Sequence, residues 1–173
     1  MANNLTSNLN MLSPQNFKVV IDDKNFANIA FFCTQANVPG LQSSEINTNY
    51  RNFQGFTPGE LLDYSTFDVT FIVDEEMKNY IEIRDWLLKN THGQNLDTRG
   101  AENTNALDVI REQQRKDITL SILSNKATTN KEILFNDCFP TTLGELQFTT
   151  QDTTLDYLTC TVSFRFNGFS FVK

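Results

Sequence analysis

The chain carries one histidine, His92, and three cysteines, Cys33, Cys138 and Cys160. Nucleophilic and metal chemistry draw on these residue types first, so their spacing decides what is open. A Ser-His-Asp triad would have to use His92 as its base, and no serine sits in a nucleophile elbow. His92 itself lies in a polar stretch, where a lone imidazole is ordinarily just solvated. A zinc site needs clustered Cys and His ligands, and no two of these cysteines form a CxxC pair. Each lies instead in an apolar strand pattern, the setting of a buried free thiol. Asp22-Asp23 falls in a turn and Glu75-Glu76 at a helix start, so neither pair needs a catalytic role. The seven glycines make no phosphate loop and no dinucleotide fingerprint. The expectation is a protein that is not an enzyme, with no catalytic residues, no metal and no cofactor.

The elements explain where these residues sit. The last third is the most regular. Leu158, Cys160, Val162, Phe164 and Phe166 alternate with Tyr157, Thr159, Thr161, Ser163 and Arg165. A period of two makes a strand with one apolar and one polar face. Before it, Pro140 to Gly144 reads as a structural turn, with Gly144 at positive φ, and Gly144 to Thr150 as a short strand. Upstream, Asn16–Asp22 and Ile29–Gln35 read as two strands joined by a turn at 22–25, hence a hairpin. Leu61–Val73 reads as one strand. Asp74 reads as a helix cap, with Glu75 and Glu76 at the positive end of the dipole and Lys89 at the negative end. Met77, Tyr80, Ile81, Arg84, Leu87 and Leu88 follow helical spacing, widened by Ile83 and Trp86. Gly93 marks the stop. Ile118, Leu120 and Ile122 mark another strand, with Lys131–Phe139 as its hairpin partner. The total is about seven strands and one main helix: a mostly β antiparallel sandwich or barrel.

Length suits a single domain at 14–173, preceded by an Asn-rich arm at 1–13. Within it lie an excursion at 38–61, a helix at 75–90 and a long polar loop at 91–116. The excursion holds Tyr50, Phe53 and Phe56 among Ser, Asn, Gln and Thr. It is either a loop or ribbon that docks on another subunit, or one that folds back onto its own core. The N-terminus lacks a signal-peptide pattern and no apolar run is long enough to span a membrane, so the expected setting is a reducing cytoplasm. A net charge of −7 disfavours a sequence-independent DNA binder. Open strand edges and aromatic surface point to self-assembly.

Four segments resemble the tail tube proteins of contractile-tailed phages of the T-even type. They are Asn16–Ile21, Phe31–Gly40 with its Val-Pro-Gly turn, Phe67–Glu76 running on to Arg84-Asp85-Trp86, and Phe139-Pro140-Thr141-Thr142-Leu143-Gly144-Glu145-Leu146. The order and spacing agree from about 14 to 168. The arm, the 91–116 loop and the tail after Arg165 depart from the family pattern. The resemblance implies hexameric rings whose sheets join into an inner β-barrel, stacked as a tube inside a contractile sheath, for DNA delivery into the host. It implies inter-ring contacts at Val38, Pro39, Gly40, Leu41, Tyr50, Phe53 and Phe56, and a polar lumen face at Thr159, Thr161 and Ser163. The implied partners are other copies of the chain, the sheath protein, baseplate hub and tube-initiator proteins, and a tail terminator. Tape-measure protein and DNA would pass through the lumen without specific binding. The implied location is the virion tail, assembled in the host cytoplasm. The same likeness extends to a baseplate tube-initiating homologue and to tubes of contractile injection or type VI secretion systems. Six chains would carry 6 × −7 = −42 per ring. A neutral to negative lumen is expected, because basic walls would hold phosphate through counterion release.

Overall fold

The computed structural model describes residues 11–21, 32–91, 115–149 and 157–172. Expectations at 1–10, 22–31, 92–114 and 150–156 lie outside the described residues; they include His92, Gly93, Asp22-Asp23 and most of the 91–116 loop. The strands are β1 (Phe17–Ile21), β2 (Cys33–Ala36), β3 (Leu41–Tyr50), β4 (Phe53–Tyr64) and β5 (Phe67–Ile72). Helix α1 (Lys78–Thr91) follows. Then come β6 (Lys116–Leu123), β7 (Thr129–Leu143), β8 (Thr159–Arg165) and β9 (Gly168–Phe171).

Alternation builds the core. Val19 and Ile21 of β1, Ile118 and Leu120 of β6, and Ile133 and Phe135 of β7 form one buried face. Phe67, Val69 and Phe71 of β5, with Cys160, Val162 and Phe164 of β8, form the other. The two faces meet where Phe67 stacks on Phe135 at 4.4 Å between ring centroids.

All of these strands belong to one antiparallel sheet, ordered β1-β6-β7-β8-β5-β2, with β9 also on β7. Strand β7 makes this possible. Its first part pairs with β6 and β9, and its last part, Phe139–Leu143, pairs with β8. The switch falls at a bulge where Asp137 takes φ 55 and its N–H donates to Asp117 Oδ1 at 3.0 Å. A bulge of this kind turns a strand from one layer into the next.

Several expectations are corrected here. β1 and β2 do not form a hairpin: β1 pairs with β6, and β2 pairs with β5. The apolar row Val19 and Ile21 lies across from Leu120 and Ile118, so burial decided the partner and sequence proximity did not. Leu61–Val73 is two strands, broken at Ser65-Thr66. The helix begins at Lys78, three residues later than the acidic pair implied. Asp74–Met77 is a turn closed by Met77 N–H to Asp74 O at 2.8 Å, with Met77 at φ 53. The buried stripe of α1 is Asn79, Ile83 and Trp86, while Ile81 and Arg84 are exposed. Asn79 is fully buried and ties the helix to the end of β5. Its Nδ2 donates to Ile72 O at 2.8 Å, and its Oδ1 accepts from Tyr80 N–H at 2.9 Å. Trp86 then packs on Phe164 at 5.7 Å.

The expected turn at Pro140–Gly144 is strand up to Leu143. Pro140 is buried and lies opposite Phe164. It is tolerated because this part of β7 pairs on one side only among the described residues. Residues 144–149 form no strand. Gly144 has no positive φ, so conformational freedom is not its role. Its N–H donates to Thr161 O at 2.7 Å, and a Cβ there would sit 3.0 Å from that oxygen and 3.3 Å from Thr161 N. The glycine lets the chain lie directly on β8. Gly144→Val should therefore lower stability by about 1–3 kcal/mol through overpacking. Urea denaturation checks this, and an unchanged midpoint would show that the close approach constrains nothing.

Candidate functional site: a hydroxyl-lined sheet face and a projecting ribbon

Strands β7 (its last part), β8, β5 and β2 form a four-stranded sheet whose inner face is the core. Its other face is set by register. Thr142 lies opposite Ser163, and Ser163 opposite Asp68. Thr161 lies opposite Thr70, and Thr70 opposite Gln35. Thr159 lies opposite Ile72. The hydroxyls are knitted together. Thr70 Oγ1 and Thr161 Oγ1 are 2.9 Å apart, Thr141 Oγ1 donates to Ser163 O at 3.1 Å, and Thr34 Oγ1 donates to Thr70 O at 3.2 Å. Cross-strand Thr pairs of this kind stabilise a sheet without apolar cover. The expected polar residues Thr159, Thr161 and Ser163 are thus brought together on one face. The charged groups among these residues are engaged with the chain itself. Asp68 Oδ2 accepts from Asn37 Nδ2 at 3.4 Å, and Arg165 donates to Tyr64 O at 2.9 Å.

β3 and β4 form a separate two-stranded ribbon with the expected aromatics near its tip. Tyr50 and Phe53 are opposite one another and 71% and 73% exposed; Phe56, Leu41 and Val38 are exposed as well. Arg51 caps the tip with its guanidinium 5.5 Å from the Tyr50 ring. The ribbon does not fold back to bury these side chains. Ten residues of β3 reach about 34 Å at ~3.4 Å per residue. A bulge where Ser43 pairs with Leu62 and Glu45 with Pro58 divides the ribbon, and Ser44 Oγ accepts Leu61 N–H there at 3.2 Å. Gly59 is required at that point, since a Cβ would fall 2.9 Å from Ser44 O.

The remaining expected contact residues separate. Gly40 is exposed and pins the ribbon base, its carbonyl accepting Ser65 N–H at 3.0 Å. Pro39 is buried within its own subunit and offers no outer surface. Three residues that sequence reasoning passed over hold the frame: Asn37, Asn79 and Arg165. Asn37 reads β5 like a strand residue, with its N–H to Asp68 O at 3.2 Å and its Oδ1 accepting Asp68 N–H at 2.7 Å. An Asn directly before Val-Pro-Gly was the available signal, because Asn side chains bond nearby backbone at chain turns.

Burial raises all three thiols. Burial pushes Cys33 up to about 11, against a backbone hydrogen bond to Gln35 that lowers it. Burial likewise pushes Cys138 up to about 12, and raises Cys160. All three stay protonated at neutral pH. Among the described residues, no cluster of His, Cys, Asp and Glu is grouped to hold a metal ion, and no helix is long and apolar enough to cross a membrane.

A family model described as phage tail tube protein matches residues 3–172. A comparison with curated proteins found no match. Among solved structures, the fold is similar to a chain of the sheath–tube complex of an extracellular contractile injection system, PVC, in its extended state. That pair has 16% identity, covers 93% of this chain and 90% of the other, and has a TM-score of 0.55. The sheath/tube terminator of the same system matches at 16% identity, 95% and 98% coverage and TM-score 0.59. The tube-terminating cap of the anti-feeding prophage matches at 14% identity, 99% and 98% coverage and TM-score 0.57. At these identities the likeness is one of fold.

The buried thiols give a pH dependence with a defined sign. Their folded pKa values lie above the unfolded value of about 8.5, so the stability they contribute is intact below that pH and is lost as pH rises through about 11 for Cys33 and about 12 for Cys138. The thermal midpoint should fall between about pH 9 and pH 11. Cys138→Ala, which lacks one such group, should fall less steeply over that window; equal slopes would show that Cys138 ionises freely in the fold.

Proposed function

The chain belongs to the phage tail tube protein family, and from that premise we propose how one structural tube subunit becomes a tube. The four-stranded sheet carries the proposal. Its strands alternate in direction, and both outer strands, β2 and the last part of β7, pair on one side only among the described residues. With an even number of alternating strands, β2 of one copy lies antiparallel to β7 of the next. This is a head-to-tail contact that closes into a ring and removes the open edges. Six copies would place about 24 strands, at ~4.8 Å each, around a circumference of roughly 115 Å. The resulting barrel is wide enough to pass a double helix.

In that ring the core faces outward from the barrel wall and the hydroxyl face inward. Thr142, Ser163, Thr161, Thr70 and Thr159 then line the lumen. Hydroxyls give phosphate no fixed cation to settle on, and Arg165, the cation among the described residues of this face, lies at its rim with its guanidinium turned to Tyr64 O, so DNA and the tape-measure protein pass without being held. The ribbon leaves the wall at the Arg165 end of β8, and exposed Phe148 and Tyr157 lie toward the opposite end. Rings stacked with one polarity bring the aromatic ribbon of each copy to the far rim of the next. The sheath protein would surround this tube, with baseplate hub and initiator proteins at one end and a terminator at the other. Such a tube is part of the virion tail and would assemble in the host cytoplasm. Catalysis has no part in this role.

A second reading follows from the fold shared with a tube terminator and a terminating cap: a component that makes one ring and stops. Purified protein viewed in negative stain separates the two. Long tubes of uniform width support the first, and isolated rings the second. Removing 43–56 should leave a folded subunit that forms no tubes; tubes of normal length from that variant would overturn the inter-ring role of the ribbon.

A further inference from the structure

The ribbon is joined to the body by two chain segments, 37–40 on entry and 65–66 on exit. Two connections define a hinge axis and leave rotation about it free. A two-stranded ribbon does not resist that rotation by itself, because its hydrogen bonds run between its own strands. A fixed angle needs a further attachment made to the ribbon side of the hinge.

The structure holds such an attachment. Arg165, at the end of β8, donates from Nη1 to the carbonyl oxygen of Tyr64 at 2.9 Å, across 101 positions of sequence. Tyr64 is the last residue of the ribbon. Its ring is held edge-on by Phe166 at 5.6 Å and by Phe169 at 5.8 Å, and Phe169 belongs to the C-terminal strand β9. On the body side, Asn37 fixes the other root, with Nδ2 donating to Thr66 O at 3.2 Å besides its bonds to Asp68. Arg165 also lies on the same strand as Thr161 and Ser163, so it couples the ribbon root to the hydroxyl-faced wall. It spends its charge on a main-chain carbonyl, and none of the ion pairs among the described residues involves it.

We propose that Arg165 is a positioning residue for tube assembly: by gripping Tyr64 O it locks the ribbon at one angle to the wall, so that every copy in a ring presents its aromatic tip alike. This rests on the ribbon being the inter-ring contact. A hydrogen bond from a charged donor is stronger and more directional than one between neutral groups. Losing it leaves the folded body intact and Tyr64 held by its ring contacts alone, so the ribbon swings over a wider range of angles, a disorder that each stacking event must then reverse.

Spin labels at Asn52→Cys and Lys126→Cys, in a Cys33→Ser background below the assembly concentration, report the tip-to-body distance. The unaltered root should give one narrow distribution and Arg165→Ala a broad one. In unlabelled full-length protein, Arg165→Ala should raise the critical concentration for tubes about ten-fold or more while the thermal midpoint stays within a few degrees. Arg165→Lys, which keeps one donor, should recover part of both effects. An unchanged distance distribution, unchanged assembly, or a loss of assembly matched by unfolding would each overturn the positioning role. The 43–56 deletion keeps the two questions apart. If it still forms tubes, the ribbon's inter-ring role has failed, and the distance measurement still judges the grip of Arg165 by itself.

Discussion

β8 must be dry on one face and wet on the other, and the rest of the molecule is arranged around that requirement. Cys160, Val162 and Phe164 are buried, while Thr159, Thr161 and Arg165 alternate with them in the open. A slip of one residue would send all of these side chains to the wrong side. The neighbours prevent it. β5 matches β8 residue for residue from Phe67–Phe164 to Ile72–Thr159, and Gly144 admits the chain after β7 to within hydrogen-bonding distance of Thr161. The helix secures the dry side, with Trp86 on Phe164 and Asn79 on the carbonyl of Ile72. The bulge at Asp137 bends β7, so the layer with β6 and β9 and the layer with β8 share one strand.

That arrangement leaves the subunit unfinished as a monomer. Its four-stranded sheet ends in two edges that pair on one side only among the described residues, and its ribbon exposes Tyr50, Phe53, Phe56, Ile46 and Leu61 to water. Surface of this kind is costly for a protein that remains single. It becomes useful when the next copies supply the missing strand and the missing apolar cover. In the proposed tube, ring closure and stacking draw on different surfaces, the sheet edges for the first and the ribbon for the second. Arg165 and Asn37 lie where the two surfaces meet.

The sequence made some of this legible. The β8 alternation could be read directly, because a period of two over ten residues has no helical alternative. The hairpin of β6 and β7 was legible for the same reason. Pairing between distant segments was not: β1 with β6 and β2 with β5 depend on which apolar rows fit across the core, and local pattern carries no such information. Pro140 and Gly144 misled because Pro and Gly together usually signal a turn. Here the proline occupies an edge and the glycine a close approach, two roles with the same residue types and different physics. The helix start misled because Glu75 and Glu76 suit a dipole, yet the backbone turns through Met77 first. Asn37 and Arg165 act on carbonyls and amides far away in the chain, and spacing does not register such contacts.

In the proposed tube, the chemistry of the hydroxyl face follows from what a conduit must avoid. An acidic wall would repel phosphate but would also gather its own charges close together on one ring, at a cost that grows with each added copy. A basic wall would hold the cargo. Threonine and serine escape both difficulties. They are β-branched or small enough to suit a strand, their hydroxyls satisfy one another across the sheet, as Thr70 and Thr161 do, and they carry no charge at any physiological pH. Asp68 and Arg165 are each hydrogen-bonded within their own subunit, Asp68 to Asn37 Nδ2 and Arg165 to Tyr64 O.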